Sequence, residues 1–118
     1  MTKAATTAAQ AQVPGIERTD LQQHDLSIPG RIVIQNRVTI SPEAPAVRHK
    51  HPGEEIIYIV EGVLEYSIDG QEPRTYEAGE ALMVPAEKVH SVRAVGGGGT
   101  ELATYVVEKD KPFIVLAD

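Results

Sequence analysis

Two histidines and a glutamate near the middle of this chain have the types and spacing of metal ligands. His49 and His51 stand two residues apart, so on a β-strand both imidazoles leave the same face. Pro52 and Gly53 follow them and favour a chain reversal, which predicts that Glu55 lies beside the histidines on the neighbouring strand. The sequence therefore predicts two nitrogen ligands and one oxygen ligand on one face of β structure.

The composition limits both the ligands and the partners of such a site. The chain has 118 residues and no cysteine, which predicts one domain whose metal ligands are His, Asp or Glu. A net charge of -6 and the absence of tryptophan argue against nucleic acid, which needs a basic surface and stacking side chains. No apolar run approaches the roughly 20 residues of a membrane-spanning helix, so we expect no membrane partner.

Short β-strands are predicted for most of the rest of the chain. The clearest covers residues 31–40, where Ile32, Ile34, Asn36, Val38 and Ile40 share one face that is expected to point into the core. The other predicted strands are residues 55–60, 63–68, 74–77, 81–84, 90–95, 101–108 and 112–116. The glycine-rich residues 96–99 are expected to form a flexible connection. Strands of this length and spacing predict an all-β sandwich or barrel.

The N-terminal part of the chain has no clear pattern. Residues 1–15 are small and polar and are interpreted as a flexible tail, which leaves residues 16–118 as the single domain. The next ten residues are mostly polar, and His24 among them is expected at the surface because no second ligand type lies two residues away. The tail lacks the apolar core of a secretory signal, so a cytoplasmic location is expected, with a trimmed export leader as the alternative.

Two patterns in the middle of the chain resemble the signature motifs of the cupin superfamily. The first, H-x-H-x3-E-x6-G, covers residues 49–62, and the second, G-x5-P-x4-H, covers residues 79–90. The resemblance implies a jelly-roll barrel, also called a double-stranded β-helix, that holds one metal ion. The metal ligands that it implies are His49, His51, Glu55 and His90.

Three positions depart from the family patterns. The first motif often begins with Gly where this chain has Glu43, and the second has Gly and Asn where this chain has Glu87 and Ala94. All three are turn or support positions, so the expected ligands are unaffected. The loops at these positions are expected to differ from those of the family.

The expected ligand set narrows the choice of ion. Three neutral imidazoles and one carboxylate suit a divalent transition metal such as Fe, Mn, Ni, Cu, Co or Zn, whereas calcium and magnesium sites prefer oxygen ligands. An octahedral ion with four protein ligands would keep two positions for water, dioxygen or substrate. Glu55 is expected either to remain a ligand or to accept a proton as the catalytic residue.

The resemblance also implies a function. It points to a small quercetin-dioxygenase-like cupin, an enzyme that acts on a small organic molecule by dioxygenase-type or keto-enol chemistry. The alternatives are a non-oxidative lyase or isomerase and a non-catalytic binding or sensing module. A bare apolar cavity would favour dioxygen or an apolar substrate, whereas inward-facing Arg, Tyr or Lys would favour an acidic one.

Some side chains have two interpretations from sequence alone. Gln35, Arg37, Tyr66 and Tyr105 either line a substrate cavity or face outward, because strand alternation does not say which face is inside. Glu54 is expected to be a solvated carboxylate. A homodimer is also expected, in which the strand 31–40 pairs with or packs against a partner copy.

Overall fold

The computed structural model of the protein describes residues 13–118, a part of the chain whose regular structure consists of β-strands. Its strands are β1 Ile16–Asp25, β2 Arg31–Ile40, β3 His49–Lys50, β4 Gly53–Ile68, β5 Arg74–Glu77, β6 Ala81–Val84, β7 His90–Glu108 and β8 Val115–Leu116. All pair antiparallel in one curled sheet, in the order β1-β2-β7-β3-β8, and β4 pairs with β5, β6 and β7. This architecture confirms the predicted all-β jelly-roll barrel. No helix among the described residues has the length and apolarity to cross a membrane.

Strand β2 forms one wall of the core, as its alternation predicts. The five side chains of its predicted inner face are all buried, including the polar Asn36. Strands β2, β5 and β6 begin and end at the residues predicted from the sequence. The core of the barrel is therefore built from alternate positions of the strands, with Ile and Val as its main side chains.

Strand β1 was not predicted, because its residues are mostly polar. It pairs with β2 along its whole length, with one irregularity between Asp20 and Gln22. His24 lies exposed on this strand, 3.1 Å from the Gln22 side-chain oxygen, which confirms its predicted surface position. The predicted tail, residues 1–15, lies outside the described residues except for the turn at 13–15 that leads into β1.

The glycine-rich residues 96–99 were predicted as a flexible connection, and this is wrong because they lie inside β7. Strands β4 and β7 run side by side and bend together where the register shifts after Gly62. Gly62 has a φ of 76°, and a Cβ at this residue would lie 2.1 Å from the Gly98 carbonyl oxygen. Glycine is needed here because the two backbones approach so closely at the corner.

The chain reversal predicted at Pro52 and Gly53 is also wrong, because β3 and β4 do not pair with each other. Both strands pair instead with β7, where His49 lies opposite His90 and Glu55 lies opposite Tyr105. Strand β7 therefore brings the first motif together with the second.

The expected pairing of β2 with a partner copy through a strand edge does not fit this sheet. Strand β1 covers one edge of β2 and β7 covers the other. Of the strands that the structure describes, β1 and not β2 ends the sheet on this side. The homodimer itself stays a prediction.

Candidate metal centre

The fold brings the three predicted histidines into one cluster. His49 begins β3, His90 begins β7, and the two residues pair across the sheet. His51 follows β3, and its ring centroid lies 4.9 Å from that of His49 and 5.3 Å from that of His90. One nitrogen from each ring falls within 4.8 Å of the other two, so this cluster could hold a metal ion.

Each imidazole is oriented by a hydrogen bond from its Nδ1 to a backbone carbonyl. The acceptors are Val47 O at 2.8 Å from His49, Phe113 O at 2.8 Å from His51 and Lys88 O at 3.0 Å from His90. A carbonyl oxygen only accepts, so Nδ1 carries the proton, and a neutral ring then keeps its lone pair on Nε2. Histidines that bind metals are commonly oriented in this way.

The Nε2 atoms of His51 and His90 show that these residues fit a cation. His51 Nε2 is buried and has no hydrogen-bond partner among the described residues. His90 Nε2 lies 3.0 Å from Glu55 Oε1, although the Nδ1 of the same ring already donates to Lys88 O. A neutral imidazole has one N–H and cannot satisfy both acceptors, so a positive charge, either a proton or a metal ion, belongs in this cluster.

Glu55 lies beside the histidine cluster on the inner face of β4. Its Oε1 is 3.4 Å from His51 Nε2, and the side chain is buried. Burial alone raises the pKa of this carboxyl, but the facing His51 and His90 rings outweigh it and hold the pKa below its usual range. The structure thus places an ionised carboxylate against the histidines, and its role as a metal ligand stays a prediction.

The electrostatics of the cluster keep His49 neutral. Burial, together with the neighbouring His90 and His51 rings, lowers the pKa of His49 to about 4. At neutral pH its Nε2 is therefore available to a metal ion without competition from a proton.

Four more polar side chains line a cavity of about 50 Å³ that also contains His49, His90 and Glu55. They are Arg18, Tyr66, Glu101 and Tyr105. The Tyr66 hydroxyl donates a hydrogen bond to Glu101, and Arg18 Nη1 lies 3.4 Å from the Tyr105 hydroxyl oxygen. Burial, together with the nearby charge of Glu55, raises the pKa of Glu101 to about 8.

The sequence identified only some of these cavity residues. Tyr66 and Tyr105 are buried inside, whereas Gln35 and Arg37 lie on the outer side of β2, half-buried and exposed respectively. Glu101 was missed, although it shares its face of β7 with Tyr105, and that alternation is visible in the sequence. Arg18 carries no comparable signal, because its polar strand gives no sign of which face is buried.

One departure from the motif pattern has a visible structural consequence. Glu87, which stands where the second motif usually has Gly, has a φ of 63°. Its backbone N–H donates to the His51 carbonyl oxygen at 3.0 Å. The backbone of Glu87 therefore keeps the left-handed conformation that favours glycine. Its hydrogen bond holds the backbone of His51, one of the candidate ligands.

Comparisons with known proteins agree with this arrangement. Residues 36–108 match the family model described as the cupin domain. Three similar solved structures are KdgF from Halomonas sp., a cupin superfamily protein from Desulfitobacterium hafniense and the DMSP lyase DddQ from Ruegeria pomeroyi. A comparison with curated proteins gave no match.

The degree of similarity to these structures differs little. KdgF has 24% identity and a TM-score of 0.66, with 82% of this chain and 84% of KdgF covered. The Desulfitobacterium protein has 19% identity and a TM-score of 0.67, with 83% of each chain covered. The lyase has 19% identity and a TM-score of 0.73, with 99% of this chain and 59% of the lyase covered. At these identities the likeness shows a shared fold.

Proposed function

Because this chain belongs to the cupin family, we propose that it is a metal-dependent enzyme that acts on a small organic molecule by dioxygenase-type or keto-enol chemistry. One observation carries the proposal: His49 and His90 of the three-histidine cluster line a single cavity together with the buried carboxyl groups of Glu55 and Glu101. Ionisable groups are costly inside a small β-barrel, so their concentration at one place supports a chemical role.

His49, His51 and His90 would hold the ion through Nε2, with Glu55 as the fourth ligand. This donor set has no sulfur and suits a divalent transition metal. When bound, such an ion would act as a Lewis acid that polarises an oxygen atom of the substrate. The hydrogen bonds to Val47, Phe113 and Lys88 would keep the rings in position, because they fix each ring independently of any ion.

The cavity residues favour proton-transfer chemistry over a purely oxidative reaction. Glu55 has a pKa below its usual range and is the ionised member of the pair, whereas Glu101 has a pKa of about 8 and is protonated at neutral pH. A pair of carboxyl groups whose environments separate their pKa values supplies both a base and an acid. Keto-enol chemistry needs both, because one proton leaves a carbon atom while another reaches an oxygen atom.

The same observation supports a second candidate, a non-oxidative lyase or isomerase. Such an enzyme would use the metal and the Glu55 and Glu101 pair without dioxygen. One protein of similar fold is named as a DMSP lyase, and this likeness at the level of fold adds weight to the candidate. A protein that holds the metal but turns over no substrate would instead be a binding or sensing module.

Metal analysis followed by two parallel activity screens tests the proposal. The purified protein is analysed for transition metals, and each metal-loaded form is then assayed with a panel of small ketones and organic acids. Oxygen uptake reports dioxygenase chemistry, and exchange of carbon-bound hydrogen for solvent deuterium reports keto-enol chemistry. We expect deuterium exchange that Glu55→Gln abolishes. A protein that retains no transition metal at micromolar concentration would contradict the proposal.

A further inference from the structure

Arg18 is the one residue of the described cavity lining that carries a permanent positive charge. It pairs with Val38 across β1 and β2, and Val38 faces the core, so Arg18 also lies on the inner face of the sheet. Its neighbours Glu17 and Thr19 face outward and are exposed. An arginine in this position costs solvation free energy, since the rest of the inner face of β2 opposite it is largely apolar.

The hydrogen bonds of Arg18 are incomplete. In the amide orientation that pairs donors with acceptors, Asn36 Oδ1 accepts from Arg18 Nη1 at 2.9 Å. The Tyr105 hydroxyl is a longer contact at 3.4 Å. Arg18 Nε is buried and has no hydrogen-bond partner among the described residues. A buried donor of a charged group without a partner is unusual, and because Arg18 lines the cavity, an acceptor that enters the cavity would complete its hydrogen bonds.

The two carboxyl groups of the cavity are engaged elsewhere. Glu55 faces His51 and His90, and Glu101 accepts from Tyr66. Burial lowers the pKa of Arg18, but its interactions with Tyr105, Glu101 and Glu55 outweigh this effect and raise the pKa above its usual value. Arg18 is therefore firmly charged, and part of its guanidinium remains available to a ligand.

The charge of the cavity favours an anionic ligand. Arg18 and a divalent ion held by the histidines would together bring three positive charges into this space. Glu55 and Glu101 can supply at most two negative charges, so an excess of positive charge would remain. A carboxylate would reduce that excess and would also match the planar fork of an arginine, which binds carboxylates through two parallel hydrogen bonds.

From these observations we infer that Arg18 binds a carboxylate group of the substrate, so that the molecule taken by the cavity is a small organic acid. The inference rests on the proposed function, because it names the substrate class of the same site. The cavity volume of about 50 Å³ fits a head group the size of acetate rather than a whole large metabolite. Arg18 would thus determine specificity and orient the acid toward the histidine cluster.

The experiment compares two pairs of molecules that have the same shape and differ in charge. Acetate and acetamide form one pair, and pyruvate and pyruvamide form the other. Each is titrated into the full chain loaded with Zn²⁺, and the Arg18 Nε–H resonance is followed by nuclear magnetic resonance. We expect the acids to shift this resonance and to bind at least about tenfold more tightly than the amides, as for a charge-assisted pair.

Two variants of Arg18 separate recognition from structural support. Arg18→Gln should lower the affinity for both acids about tenfold and leave the affinity for the amides and the Zn²⁺ content within twofold. Arg18→Lys, which keeps the charge but not the fork, should have intermediate affinity and serves if the first variant fails to fold. Arg37→Gln is the matched control, because Arg37 is an exposed arginine on the outer side of the neighbouring strand β2.

Other outcomes would overturn the inference or separate it from the proposed function. Equal affinity for acids and amides, or full retention of acid binding in both Arg18 variants, would show that Arg18 only supports the barrel. The same titration without Zn²⁺ is the second arm. If the protein binds no metal but still binds acids in a way that depends on Arg18, the inference of a carboxylate site stands. The proposal of a metal-dependent enzyme is then refuted.

Discussion

The Tyr66 hydroxyl donates a hydrogen bond to the Glu101 carboxyl group inside the barrel, and both side chains are buried. Neither residue belongs to the two sequence motifs. The pair lies in the same cavity as His49 and His90. A proton held by this pair is therefore shielded from water and close to the groups that would bind a metal ion. Because unfolding exposes the pair to water, its titration should change the free energy of unfolding with pH.

The first prediction concerns the pH dependence of stability. Glu101 has a pKa of about 8 in the folded protein, against an ordinary value of 4.5. The folded state therefore binds more protons than the unfolded state between these values, so the free energy of unfolding falls as pH rises from about 4.5 to about 8. Glu101→Gln lacks this contribution. Between pH 5 and pH 8.5, its free energy of unfolding should therefore rise by at least about 1 kcal/mol relative to that of wild type.

Urea unfolding at several pH values measures this gain. Glu72→Gln is the control, because Glu72 is exposed and should follow the wild-type pH profile. A Glu101→Gln profile parallel to wild type would mean that Glu101 is ionised throughout this range and is not the acid of the cavity.

The second prediction concerns metal binding. The double variant His49→Ala/His90→Ala should hold less than about a tenth of the wild-type metal, because too few ligands remain for tight binding. Elemental analysis of the purified proteins measures the content directly. His24→Ala is the control, since His24 is exposed on β1, away from the cluster. Wild-type metal content in the double variant would refute the assignment of the histidines.

The third prediction concerns Glu55. Glu55→Gln conserves volume and should fold, but it should bind the metal at least about tenfold more weakly and lose turnover, because an amide neither offsets the charge of the ion nor accepts a proton. Circular dichroism, metal content and deuterium exchange are measured on this one variant. Unchanged metal content without turnover would assign Glu55 as the base and not a ligand, and full activity would exclude both roles.

The fourth prediction is the homodimer. On the outer face of the sheet, Ile56 of β4 lies opposite Met83 of β6, and both side chains are about half exposed, as is the nearby Tyr58. This patch has no formal charge, so two copies can meet across a twofold axis without repulsion despite the net charge of -6. Light scattering over a dilution series should give twice the mass of the chain.

Surface variants test where the two copies meet. Ile56→Lys should lower the mass to that of one chain at micromolar concentration, whereas Ile28→Lys, a change at an exposed turn residue, should not. A single-chain mass for the wild-type protein at every concentration would contradict the dimer.

The sequence predicted which histidines come together better than it predicted the path of the chain between them. The spacing of His49 and His51 gives their common face directly, because β alternation is local. The strand that pairs with the strand of Glu55 is distant in sequence, and the prediction of this partner was wrong. Glu55 and His49 both pair with residues of β7, far along the chain. Local patterns thus identify which side chains share a face but not which strand lies opposite.

The cavity residues Glu101 and Arg18 show a second limit of prediction from local sequence patterns. Glu101 could be placed inside from its alternation with Tyr105, once Tyr105 is known to be buried. Arg18 could not, since its position depends on the register of β1 against β2 and on the irregularity after Asp20. Polar residues on an inner face break the hydrophobic pattern that sequence analysis depends on, so it misses polar cavity residues that belong to no motif, such as Arg18 and Glu101.

The position of β7 in the sheet also decides the order in which the barrel can assemble. Strands β2, β3 and β4 all pair with β7, which is made after them during synthesis, so their edges stay open until residues 90–108 have left the ribosome. Among the strands that the structure describes, the β1–β2, β4–β5 and β4–β6 pairs can form earlier, from contacts closer in sequence. The carbonyl group of Phe113, which orients His51, arrives later still. The orientation of His51, and with it the arrangement of all three histidines, is therefore completed last.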